Sequence, residues 1–150
     1  MIRESMNPIL YDPLLTAALT SWVGTPAVGP LTGGKLKLFT NDIHPTRHSV
    51  LADFIEPTDT WYAPFTLVVN NVPFLNDPNN LAIEATGTFT ASALPAGGTM
   101  LFGYWVTNTA GTTLLIAERF DSPVGFAENL QRLDLHVILP EPYSRAVPQS

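Results

Sequence analysis

Residues 100–120 read MLFGYWVTNTAGTTLLIAERF, and the fold follows from this stretch. Residues 100–107 are apolar on both alternating sets: Met100, Phe102, Tyr104 and Val106 on one, Leu101, Gly103 and Trp105 on the other. Successive side chains of an extended chain face opposite ways, so this pattern predicts a central strand covered on both faces. Asn108-Thr109-Ala110-Gly111 reads as a hairpin turn, its glycine supplying a positive φ. Thr112 to Phe120 then returns as the partner strand.

Upstream, Leu81, Ile83, Ala85, Gly87 and Phe89 share one face, with Glu84, Thr86, Thr88 and Thr90 on the other. Pro95-Ala96-Gly97-Gly98 turns the chain. Lys35 to Thr40 alternates with period two, Leu36 and Leu38 opposite the lysines. Asn41 to Arg47 reads as a loop, and Ser49 to Phe54 as one helical turn capped by Ser49. Trp61-Tyr62-Ala63-Pro64 leads into a strand over Phe65 to Val69, and the Asn-, Asp- and Pro-rich stretch 70–80 reads as a loop. Downstream, Asp121 to Asn129 reads as a loop, and Leu133, Leu135, Val137 and Leu139 mark a last alternating strand.

Six to eight strands result, with no βαβ alternation and no repeat. The expected fold is all-β, an antiparallel β-sandwich or jelly-roll-like domain with a mostly irregular N-terminal arm. Its core is expected from Leu36, Leu38, Leu67 and Ile83, together with Phe89, Phe102, Ile116 and Leu135. The divisions are an arm at 1–34, a β domain at 35–140 and a Pro-rich tail at 141–150. In the arm, Asp12 and Pro13 could open a short helix over Leu14 to Leu19. Its apolar residues need cover, from its own domain or from a neighbour. Leu10, Tyr11, Leu14 and Trp22 are expected to reach over a neighbouring subunit or into a groove of a larger assembly, and the β domain is expected to fold without the arm. Trp61 and Tyr62, in a Pro-flanked connection, read as core plugs or as interface anchors.

Only 13% of the 150 residues are charged, about half the usual share, so Thr, Asn, Pro and apolar groups must cover the surface. Such a surface suits burial against a partner, and a Thr-rich solvated β surface would read the same way. Net charge is −6, and the seven basic residues are scattered from Arg3 to Arg145. Binding to nucleic acid or to an anionic membrane is therefore not expected. The absence of cysteine removes disulfides, thiol catalysis and the usual structural zinc sites. No run approaches the ~18 apolar residues of a membrane-spanning helix.

Candidate chemistry is sparse. His44 and His48 stand four apart, but Pro45 between them argues against a shared helix, so they read as surface loop residues. Glu56 and Asp59 beside Trp61 and Tyr62 could suggest a glycosidase pair or a sugar platform. Nucleophile elbows, P-loops, dinucleotide fingerprints and calcium loops are absent. The chain is expected to be no enzyme and to need no cofactor or metal.

Three blocks carry a resemblance: Lys35-Leu-Lys-Leu-Phe-Thr-Asn-Asp-Ile-His-Pro-Thr46; Leu51-Ala-Asp-Phe54 with Tyr62-Ala63; and Phe102 to Phe120. Together they resemble small β-rich proteins encoded among bacteriophage structural genes, over roughly Lys35 to Leu139. Ile43-His44 replaces the polar residues usual before Pro45, and Pro57 with Trp61-Tyr62 alters the middle block. The resemblance implies a virion protein, made in the host cytoplasm and placed on the particle exterior. A capsid decoration or cement protein on the major capsid protein is the first expectation; a homotrimer is expected separately, from the two apolar faces of residues 100–107 and the low surface charge. A tail, baseplate or fibre subunit is the alternative, and a carbohydrate-binding module a second one.

Overall fold

The structure, a computed structural model, describes residues 2–5, 8–11, 31, 33–74 and 77–140. Among the described residues nine strands form two sheets. They are β1 (Ile2–Ser5), β2 (Ile9–Leu10), β3 (Lys35–Phe39), β4 (Phe65–Thr66), β5 (Val68–Phe74), β6 (Asp77–Thr90), β7 (Thr99–Thr107), β8 (Leu114–Phe126) and β9 (Arg132–Pro140). One sheet has the order β1-β9-β6-β5 and the other β2-β8-β7-β3-β4. Among the described strands all pairings are antiparallel except β1 with β9. The all-β sandwich expected from the alternation is the fold observed.

The inner faces meet as alternation requires. Leu36 and Leu38 of β3, Tyr104 and Val106 of β7, Ile116 of β8, Phe89 of β6 and Leu135 of β9 are buried in one cluster. Leu67 belongs to it too, at the point where the chain leaves one sheet for the other: β4 lies in the five-stranded sheet and β5 in the four-stranded one. The Leu67 amide donates to Gly34 O across 2.9 Å, which keeps the crossing extended.

The outer faces differ. On the four-stranded sheet Thr88 donates to Asp134 at 2.7 Å, and Arg132 grips the same carboxylate with Nε at 2.8 and 3.0 Å. On the five-stranded sheet Phe39, Phe54, Trp105, Leu114, Ala117 and Tyr11 form a second buried cluster. β7 is therefore central and apolar on both faces, as its sequence predicts.

Several expectations need correction. Phe102 packs against this outer cluster and not between the sheets, because register shifts at Leu101/Gly103 break the alternation of β7. β8 continues through Phe126, where a loop from Asp121 was expected. Gly103 pairs with Arg119 but Leu101 with Val124, so the extra residues of β8 are accommodated as a bulge that takes in Pro123. The stretch 70–80 is mostly strand: β5 and β6 pair from Val68↔Thr86 to Pro73↔Leu81. Pro73 is tolerated because β5 is an edge strand, whose outer side needs no donor. Ser49 does not cap the helical turn. The turn is a 3-10 helix at Leu51–Asp53 opened by Val50, whose amide donates to Asp53 Oδ2 at 2.8 Å.

The arm's described residues join the domain. β1 pairs with β9 at Ile2↔Asp134 to Ser5↔Val137, and β2 pairs with β8. Tyr11 and Leu31 are buried, the first in the outer cluster and the second between the sheets. The expected helix at 14–19, with Leu14 and Trp22, lies outside the described residues, as does the tail after Pro140.

Candidate functional site

Residues 40–55 leave β3 and lie as a strap over the outer face of the five-stranded sheet. Beneath it the Phe54 ring stacks on Trp105, centroids 4.9 Å apart and planes 17° apart, with Phe39 5.4 Å from Phe54. The Phe39 ring can lie flat there because its partner across β3–β7 is Gly103. A Cβ on Gly103 would run into that ring and the Glu118 carbonyl.

Polar residues pin the strap at both ends. Asn41 Nδ2 donates to Asp53 O at 2.8 Å, and Asn41 Oδ1 accepts from the Ile55 amide at 3.0 Å. The Thr40 amide donates to Ile55 O at 2.8 Å. Arg119 of β8 pairs with Asp42, donates to Ile43 O at 3.2 Å, and places its guanidinium 5.1 Å from the Phe102 centroid. Lys37 spans Glu56, at 3.7 Å, and the Trp105 ring, at 5.7 Å.

Beside the strap opens a groove of about 750 Å³. Leu10 and Tyr11 form one wall, residues 47–52 of the strap another, and Thr112 to Leu114 the third. Tyr11 is fixed there by its amide, which donates to Leu115 O at 3.0 Å, and by its hydroxyl, which donates to Thr46 O at 2.9 Å. Burial lifts the Tyr11 phenol above its usual pKa. Thr112 and Thr113 are fixed by Asn108, whose Oδ1 accepts from their amides at 2.9 and 3.2 Å.

Of the residues expected at an interface, Leu10 and Tyr11 line this groove, half-buried and buried. Trp61 and Tyr62 lie elsewhere, half-buried against the inter-sheet core. Trp61 meets Phe126 edge-on at 5.3 Å and donates to Asp59 Oδ2 at 2.7 Å; Thr99 donates to the same oxygen. Tyr62 stacks on Phe89 at 5.9 Å and donates to Glu56 Oε1 at 2.7 Å. Glu56 and Asp59 are thus each engaged by an aromatic residue of their own segment, as orienting partners. His44 and His48 are exposed on the strap. Among the described residues no group of three His, Cys, Asp or Glu is placed to hold a metal.

Sequence reasoning missed the exposed apolar side chains Val50, Ile55, Val68, Met100 and Leu130. Nothing in the periodicity marks them: Val50 and Ile55 lie on the strap, Val68 and Met100 on strands, and Leu130 in the turn before β9. The groove was equally invisible, because its walls come from three distant segments.

The geometry defines a β-sandwich bearing a strapped outer face with an open groove beside the strap. No protein-family model, curated protein or solved structure matches the chain.

Proposed function

We propose that this chain is a non-catalytic structural protein of a bacteriophage particle, a decoration or cement protein on the outside of the head shell. The observation that supports this reading is the convergence of the three phage-like sequence blocks. Phe39, Asn41 and Asp42 come from the first, Asp53 and Phe54 from the second, Trp105 and Arg119 from the third. All of them meet at the strap. The motif is thus a fastening that holds a loop surface in place, which is what a protein working by surface contact needs.

Such a protein would act by modest contacts repeated over many copies, each adding interface that must rupture when packaged DNA pushes outward. Its partners would be the major capsid protein and further copies of itself. Quantitative mass spectrometry of purified particles tests the reading. Hundreds of copies per particle are expected; a dozen or fewer would point to a tail, baseplate or fibre station, and absence would end the proposal. The carbohydrate-binding alternative draws no support from the geometry. It needs coplanar aromatic rings on an open face, and among the described side chains none of the exposed large hydrophobics is aromatic.

A further inference from the structure

We propose that the groove between Tyr11, the strap and the β7–β8 turn docks an extended segment of a partner protein, one presenting an apolar side chain next to a carboxylate. The inference deepens the reading of the chain as a contact protein and rests on it. Chemistry selects the occupant. Each wall brings an apolar side chain to the groove, Leu10, Leu51 and the buried Leu114, and Val50 beside Leu51 is 56% exposed. The polar lining is Arg47, His48 and the hydroxyls of Ser49, Thr112 and Thr113, and no carboxylate lines it among the described residues. In a chain with thirteen acidic residues and a net charge of −6, such a lining is distinctive. It matches a ligand whose charge is negative and whose body is apolar.

Shape points to an extended chain. β2 is the outermost strand of its sheet among the described residues, and Leu10 at its end enters the groove wall. An extended segment laid beside it can use main-chain hydrogen bonds while its side chains enter the groove. The walls are also set in advance. Tyr11 is held by two hydrogen bonds, the Thr46 amide by Ser49 Oγ at 2.8 Å, Val50 by Asp53, and Thr112 by Asn108. Preformed walls spare the ordering entropy that binding otherwise incurs. The volume falls inside the range of about 300–1,000 Å³ typical of ligand sites.

Selection of a random twelve-residue peptide library on the immobilised full chain tests this without any particle, so its result stands apart from that of the mass spectrometry. Enriched sequences should carry an acidic residue beside an apolar one. A synthetic peptide of that consensus should bind Val50→Glu and His48→Glu at least tenfold more weakly, with melting temperatures unchanged. His136→Ala, on the opposite sheet, should bind as the parent does. No consensus, a basic consensus, or undiminished binding by Val50→Glu would overturn the inference. So would tighter binding of a synthetic peptide of residues 12–30 of this chain, which would assign the groove to the chain itself or to a second copy.

Discussion

The Tyr62 hydroxyl accepts from the Leu38 amide at 3.2 Å while donating to Glu56 Oε1. β4 covers the outer edge of β3 only at Lys35 and Leu36, so this hydroxyl supplies the acceptor that a longer strand would have given. Tyr62→Phe strands the Leu38 donor and should cost about 1–3 kcal/mol in chemical denaturation. Burial, and then the hydrogen bond to Glu56, push the phenol far above its usual pKa of 10.0. A raised folded pKa gives stability that is complete below the unfolded value and falls as pH rises past it. Stability should therefore decline above pH 10, with phenolate absorbance appearing together with unfolding, and Tyr62→Phe should flatten that decline. Asp134 acts at the other end of the scale. The Thr88 hydroxyl first, and Arg132 second, hold its carboxyl below 3.8, so its contribution is lost as pH falls through that lowered value.

At the scale of elements, the strap and the β7–β8 turn separate burial from charge. Trp105 is 3% exposed beneath the strap, and Trp105→Ala should cost about 3–5 kcal/mol by emptying the space between Phe39 and Phe54. Asp42→Ala removes an ion pair whose carboxylate side chain is 66% exposed, and should cost under about 1 kcal/mol. Equal losses in the two variants would mean that charge, and not packing, holds the strap. In the turn, Gly111 has φ 75° and a Cβ there would meet only the end of the Lys37 side chain, at 4.0 Å, so Gly111→Ala should lose about 1 kcal/mol from backbone strain. A variant that keeps its melting temperature but loses particle binding would make the turn a contact. The turn and β7 were legible in the sequence because glycine and two-sided apolarity have local causes. The bulge of β8 was not, since it arises from the register with β7 and no residue announces it. Leu67 likewise reads as an ordinary strand residue, although the chain changes sheets there. Asn70 to Asn80 reads as a loop from its turn-forming residues, but the β5–β6 ladder outcompetes their local preference.

For the whole molecule, the arm was expected to be dispensable for folding and to reach over a neighbour. β1 and β2 extend one sheet each, and Tyr11 and Leu31 are buried in the two clusters. Deletion of residues before Gly33 should therefore give a protein that is insoluble or melts without cooperativity, by circular dichroism. A cooperative transition at the parent temperature would restore the arm as a separate part. The trimer proposal has also changed its footing. Both apolar faces of β7 are covered by the chain itself, so association rests on the low surface charge and the exposed Val50, Ile55, Val68, Met100 and Leu130. Sedimentation at micromolar concentration, alone and on particles, should show a closed oligomer. A monomer under both conditions would sink it.

The parallel pairing of β1 with β9 has a mechanical consequence. Tension applied through the start of β1 and the end of β9 pulls two neighbouring strands in opposite senses along a common axis, from Ile2↔Asp134 to Ser5↔Val137. The evenly spaced bonds of a parallel pair then share the load in shear, where an antiparallel hairpin pulled from its open end yields one bond at a time. Single-molecule pulling should find greater resistance along this direction than across the open end of β7–β8, because forced rupture reports the unfolding barrier and not the equilibrium stability. A clamp of this kind makes the domain stiff along one line and compliant across it.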